Sequence, residues 1–199
     1  MSFSESYAAA QSRIVDCYGQ ALLVHVCAVQ AMALPGEFWE CGVYKGGTAR
    51  LIADVIRTGA PRPFHLFDTF AGFPAVTSED GGRPQPGWFG GSNADDVRDF
   101  VNADFATLHV GNVPDTFAGL ENSRIAFAYL DVDLYKPTFD ALTFVLPRMV
   151  PGGIILVGDY GDKHWPGAKL AVDQLIEQKR IMHFEYKEFS HQAVIRPAE

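Results

Sequence analysis

The chain contains a series of apolar runs that are too short for ordinary helices and too apolar for strands with one wet face. They are "EFWECGV" (37–43), "FHLFD" (64–68), "RIAFAYLDVD" (124–133) and "GGIILVGDY" (152–160), each with large apolar residues at both odd and even positions. Side chains of a strand alternate between its two faces, so such runs must be covered on both. Between them lie segments of helical period, "TARLIADVIRTG" (48–59), with Thr48 as N-cap candidate, and "PTFDALTFVLPRM" (137–149). Strand, helix, strand in repetition predicts a mainly parallel sheet with helices on both faces.

A further strand is predicted in "ATLHVGN" (106–112), and a helix in "GAKLAVDQLIEQKR" (167–180). The end of the chain breaks the alternation. "HFEYKEF" (183–189) and "AVIRP" (193–197) are separated by about two residues, Ser190 and His191, which suits an antiparallel hairpin. Seven strands with that C-terminal hairpin resemble the Rossmann-like class I methyltransferase fold rather than a dinucleotide dehydrogenase. With 199 residues the chain is read as one domain, 1–199. Residues 1–35 should form a helical cover ending before Leu34-Pro35-Gly36. Residues 71–96 exceed ordinary loop length. Their alternatives are a disordered surface loop and a lid, and Trp88 and Phe89 in the middle favour the lid.

Sixteen basic against 24 acidic residues give a formal charge of −8, so no electrostatic footprint for a nucleic acid is present. The first residues lack a basic region followed by an unbroken apolar one, and no apolar run approaches ~18 residues. Neither secretion nor a membrane span is expected. Cys17, Cys27 and Cys41 cannot all pair and have no C-x-x-C spacing, as suits a reducing cytoplasm.

Two places carry chemistry. The first strand runs into "ECGVYKGGTA" (40–49), where Gly42, Gly46 and Gly47 remove side chains at a strand-to-helix turn and let a ligand approach backbone N–H groups. Such a turn is equally a means of making a tight connection, and its spacing fits neither a nicotinamide site nor a P-loop. Asp68 closes the second strand, where an acid can accept ribose hydroxyls or cap a turn. Gly111 and Asn112 end the third strand at the height of an adenine ring, whose edge an amide can match. The second place is "LDVDLYKPT" (130–138). Strand alternation would turn Asp131 and Asp133 to one side, and two carboxylates in one volume raise each other's pKa unless a cation or proton intervenes. Lys136, or the start of the helix near Pro137, is the alternative partner.

The segments "FWECGVYKGGTARLIA", "FHLFDTFAGFP", "HVGNVPDTFAGL", "YLDVDLYKPTFDALTFVLPRMVPGG" and "VGDYGDKHWPGAKLAVDQ" together resemble the macrocin O-methyltransferase family, in order and spacing, from about residue 37 to residue 178. The resemblance implies S-adenosylmethionine as cofactor, a divalent magnesium ion, and a hydroxylated small-molecule acceptor such as a sugar. It implies that Glu40, Gly42 and Gly46 surround the methionine part, that Tyr44 is among the cofactor-binding residues, that Asp68 takes the ribose, and that Gly111 and Asn112 lie near adenine. Asp131 becomes a metal ligand bordering the cofactor, with Asp159 beside it, and Asp133 the general base, with His164 as the alternative base. The family usually places two adjacent aspartates where this chain has Gly158-Asp159. Asp162 and His164 could compensate or be solvated loop residues. A non-catalytic cofactor-binding protein and a metal-independent methyltransferase remain alternative readings, and a homodimer is the assembly considered.

Overall fold

The strand β4 (Ile125–Leu130) is buried at all six residues and sets the frame. Phe127 and Tyr129 join one core and Ala128 and Leu130 the other, as a strand covered on both faces must. The computed structural model describes residues 2–197. In chain order it has α1 (Phe3–Ala10), α2 (Tyr18–Ala31), β1 (Glu37–Cys41), α3 (Gly47–Ile56), β2 (Phe64–Asp68), α4 (Ala94–Val101), β3 (Ala106–Val110), β4, α5 (Tyr135–Val145), β5 (Met149–Val157), α6 (Pro166–Glu177), β6 (His183–Lys187) and β7 (Gln192–Arg196).

The sheet order is β3-β2-β1-β4-β5-β7-β6. The first five strands are parallel neighbours, and β7 joins β5 and β6 antiparallel. This is the seven-stranded, hairpin-finished sheet that the sequence predicts. Val24, Ala28, Ile52 and Val55 of α2 and α3 pack on Phe38, Phe64 and Phe127. On the opposite face Leu142, Val145, Val172 and Leu175 of α5 and α6 pack on Trp39, Phe67 and Ile155. The chain winds outward from β1 to β3 and then returns to lay β4 beside β1, opening a crevice at their carboxyl ends. Among the described residues no helix is long and apolar enough to cross a membrane.

Three local expectations are corrected. Thr48 is not the N-cap of α3, because Gly46 takes that place in the left-handed conformation (φ 81°), and the Thr48 hydroxyl turns inward to Glu40. The hairpin connection is four residues rather than two, a 3-10 turn at Glu188–Ser190 followed by His191 with φ 53°. The long segment also ends earlier than residue 96, since α4 begins at Ala94. There the Asn93 side chain accepts from the N–H groups of Asp95 and Asp96.

The segment from 71 to 93 is held at several points. Phe73 and Trp88 are clasped by the N–H of Phe73 on the carbonyl of Trp88 (2.9 Å) and that of Gly87 on the carbonyl of Phe73 (2.9 Å). The rings of Phe73 and Phe89 both meet Trp165 at 5.8 Å, while Trp88 stays 40% exposed. Asp80, almost fully buried, accepts from the N–H of Thr77 (2.8 Å) and from the N–H of Tyr135 (2.6 Å), the first residue of α5. It therefore caps a helix whose own N-cap residue, Leu134, has no capping side chain. Gly167 makes the contact feasible, as a Cβ there would stand 2.2 Å from Asp80 Oδ1.

Asp80→Ala removes both the cap and the tether. The expected outcome is a loss of about 1–2 kcal/mol of unfolding free energy and faster amide exchange across residues 77–92, read by hydrogen–deuterium exchange mass spectrometry. Unchanged exchange there would mean that the aromatic contacts alone hold the segment.

Candidate active site

Parallel strands present their carboxyl ends to one side, and here those ends line a cavity of ≈ 290 Å³. Gly42 and Tyr44 follow β1, Asp68 ends β2, Gly111 and Asn112 follow β3, Asp131 and Asp133 follow β4, and Asp159 follows β5. Phe73, Phe89 and Trp165 close one side and Asp16, from the connector between α1 and α2, another.

Asp131 and Asp133 do converge, although not by strand alternation. β4 stops at Leu130, and Asp133 takes a left-handed conformation (φ 60°), as does Asp159 (φ 56°). The strand ends stay in register through the N–H of Asp131 on the Cys41 carbonyl and the N–H of Gly158 on the Leu130 carbonyl, both 2.8 Å. Oxygen atoms from Asp131, Asp133 and Asp159 all lie within 4.8 Å of one another. Two glycines permit this closeness. A Cβ on Gly42 would fall 1.8 Å from the Asp131 carbonyl oxygen, and one on Gly158 would fall 1.8 Å from Asp131 Oδ1.

Three carboxylates in a desolvated volume oppose one another's ionisation. Burial, then Asp16 and Asp159, push Asp131 well above the ordinary carboxylate range. Burial, then Asp131 and Asp159, do the same to Asp133. Asp159 is raised by burial too, with the neighbouring Asp133 carboxyl opposing the rise. An all-oxygen, multiply anionic donor set fits a hard divalent cation such as magnesium.

Two groups escaped the sequence. Tyr129 Oη lies 2.8 Å from Asp131 Oδ2 and 2.8 Å from Asp16 Oδ2. Burial pushes Asp16 up to about 6, against the lowering effect of the Tyr129 hydroxyl. Asp16 carries no motif, and Tyr129 stands in a run of core residues. The one available signal is that a buried phenol must find a polar partner.

On the other side of the cavity, Asp68 Oδ2 accepts from the N–H of Tyr44 and Oδ1 from the N–H of Phe70, both at 2.7 Å. These bonds fix the carboxylate and leave each oxygen a further acceptor site, a donor set suited to a ribose diol. Gly111 is held beneath by its N–H on the Asp68 carbonyl (2.9 Å) and has φ 144°. The Tyr44 ring stands edge-on to Phe89 at 5.5 Å.

Other candidates lie elsewhere. Glu40 is fully buried beneath α3, where Oε1 accepts from the Thr48 hydroxyl and Oε2 has no partner; it backs the cavity without lining it. Burial holds its carboxyl well above the usual range. Gly46 faces α4, with 3.0 Å between a built Cβ and Val97 Cγ1. His164 is half-exposed, 2.9 Å from Asp162 Oδ1, and outside the cavity wall. Lys136 pairs with Asp140 at 2.6 Å and is not the partner of the aspartates. The Tyr135 hydroxyl goes to Gln174 on α6.

The profile of the Macrocin-O-methyltransferase (TylF) family matches residues 19–188. The chain is 30% identical over 145 residues to the 8-demethyl-8-(2,3-dimethoxy-alpha-L-rhamnosyl)-tetracenomycin-C 4'-O-methyltransferase of Streptomyces olivaceus, covering 66% of this chain and 56% of that one. It is 30% identical over 155 residues to the demethyldecarbamoylnovobiocin O-methyltransferase of Streptomyces niveus, covering 71% and 58%. The chain thus spans little more than half the length of these curated relatives. The crystal structure of a calicheamicin methyltransferase superposes with a TM-score of 0.77 at 25% identity, over 90% of this chain and 79% of that one.

The raised carboxyls set a pH dependence whose sign is fixed. The folded protein holds protons that the unfolded chain releases, so the cluster's contribution is complete below about pH 4. It is lost as pH rises through the folded values, about 6 for Asp16. In the presence of a chelator, Asp131→Asn should therefore gain in melting temperature relative to the parent as pH is raised from about 4 to about 7. A constant difference in thermal melts would show that the cluster carries no such strain.

Proposed function

The chain belongs to the macrocin O-methyltransferase family, and on that premise we propose that it transfers the methyl group of S-adenosylmethionine to a hydroxyl of a sugar or similar natural-product acceptor, assisted by a divalent cation. The observation that carries this reading is one cavity with an anchored acid, Asp68, on one side and the carboxylate cluster of Asp131, Asp133 and Asp159 on the other. The activities for which the relatives are named, 4'-O-methylation of a rhamnosyl-tetracenomycin and O-methylation of demethyldecarbamoylnovobiocin, support the same acceptor class.

S-Adenosylmethionine supplies an electrophilic methyl group on a sulfonium. Asp68 would hold the ribose hydroxyls, Gly111 would leave room for adenine, and the Asn112 amide would meet its edge. Gly42 and Tyr44 line the neighbouring wall, and the uncommitted oxygen of Glu40 behind it suits a methionyl ammonium. Magnesium held by Asp131 and Asp159 would lower the pKa of an acceptor hydroxyl and orient it. Asp133, which follows β4 beside Asp131 in the cavity wall and whose carboxyl is raised by burial and by Asp131, is the residue to take the hydroxyl proton. His164 is set aside as base because it lies outside the wall. The transfer would exchange the carbon–sulfur bond for an oxygen–carbon bond, with Asp133 accepting the proton that the hydroxyl gives up. Phe73, Phe89 and Trp165 make the segment from 71 onward a lid that excludes water from the transfer.

Two substitutions test the two halves separately. Asp68→Ala should weaken S-adenosylmethionine binding by about 2–3 kcal/mol, as calorimetry would read directly. Asp131→Asn should leave that affinity nearly intact while abolishing magnesium-stimulated transfer to polyhydroxylated acceptors. Full turnover of Asp131→Asn in the presence of a chelator would remove the cation from the mechanism.

A further inference from the structure

Asp16 reaches the cluster from the helical N-terminal region rather than from a segment that follows a strand. It lies in the connector between α1 and α2, whose residues Arg13, Ile14 and Val15 line the same cavity. The absence of a side chain at Gly158 explains how it engages. Asp131 Oδ1 occupies the space that a Cβ at 158 would take, and Oδ2 accepts from the Tyr129 hydroxyl at 2.8 Å. The same hydroxyl is 2.8 Å from Asp16 Oδ2, with the amide nitrogen of Gln192 at 3.5 Å.

A phenol has one proton, so it satisfies one carboxylate and leaves the other facing a lone pair. Either an extra proton or a neighbouring positive charge must complete the arrangement. Two buried oxygens are also uncommitted among the described residues, Glu40 Oε2 and Gln192 Oε1. This surplus of acceptors extends beyond the three strand-end carboxylates and reaches into the connector.

We infer that Asp16 is a positioning residue for the cation site: through Tyr129 it fixes the orientation of Asp131, and it adds a negative charge beside a position where the chain has glycine. The inference rests on the cation reading proposed above. It makes the connector, residues 11–17, part of the site, so that filling the cluster with a divalent cation orders this segment. Partners that orient ligands in this way change metal affinity by about 10–100-fold when removed.

The test uses the full chain with Mn²⁺ as the probe, binding being read by electron paramagnetic resonance and by calorimetry without any acceptor. Asp16→Ala and Tyr129→Phe should each weaken Mn²⁺ binding by about 10–100-fold. Asp16→Asn, which can still accept from the phenol, should lose less than Asp16→Ala. Hydrogen–deuterium exchange of residues 11–20 should slow on addition of Mg²⁺ in the parent and not in Asp131→Asn. Wild-type Mn²⁺ affinity in folded Asp16→Ala and Tyr129→Phe, with binding lost in Asp131→Asn, would overturn the role of Asp16 and leave the cation site standing. Absence of Mn²⁺ binding in the parent protein would overturn both.

Discussion

The structure depends on gathering like charges in one partly enclosed cavity. Parallel strands bring their carboxyl ends together as a matter of topology, and at the reversal between β1 and β4 the acids following β4 and β5 share one small space with Asp16. Coulomb repulsion at such separations is large at low dielectric. The cluster therefore persists only by holding protons or by binding a cation. The local backbone serves this arrangement, with Asp133 and Asp159 both in left-handed conformations that bulky side chains avoid.

Two glycines define how close the charges come. At Gly42 the missing side chain lets the turn after β1 pass against the Asp131 carbonyl, which fixes the backbone of the acidic turn. At Gly158 the missing side chain is replaced in space by the Asp131 carboxyl itself. A glycine read in the sequence as a lost aspartate is, in the folded chain, the space into which the retained aspartate turns. The departure from the family pattern and the recruitment of Tyr129 and Asp16 are two sides of the same packing.

Much of this was legible beforehand, for identifiable reasons. Runs such as Ile125–Leu130, apolar at both parities, admit a doubly covered strand and little else, and the closing hairpin followed from the short gap near Ser190. Gly42, Asp68, Gly111, Asn112 and Asp131 could be placed at the cavity because strand ends in such a sheet share one crevice, whereas Asp159 was implied by the family resemblance alone. Glu40 and Gly46 are adjacent in sequence to that crevice but not part of its wall. Glu40 shares the strand face of Phe38 and goes beneath α3, and Gly46 closes the turn against α4. Asp16 was invisible since its contact spans 113 residues and leaves no local pattern. The helix α4 was missed because only Val97 and Val101 of its eight residues are buried, too few to show a period.

The segment that crosses the mouth of the cavity is pinned at its two flanks, by Asp80 on the first turn of α5 and by Asn93 on the first turn of α4. Between the pins, Gly82, Gly87 and Gly91 take left-handed turns (φ 74°, 83° and 84°) that face open space, while Gly87 and Trp88 stay clasped to Phe73. The molecule thus separates the rim of the cavity from the acids behind it. The span between the pins contributes Phe89 to the rim of the cavity, while the charge geometry behind it is carried by the turns that follow the strands. The rim is thus carried by a segment whose anchors lie outside it, and the acids by a sheet that does not depend on the rim.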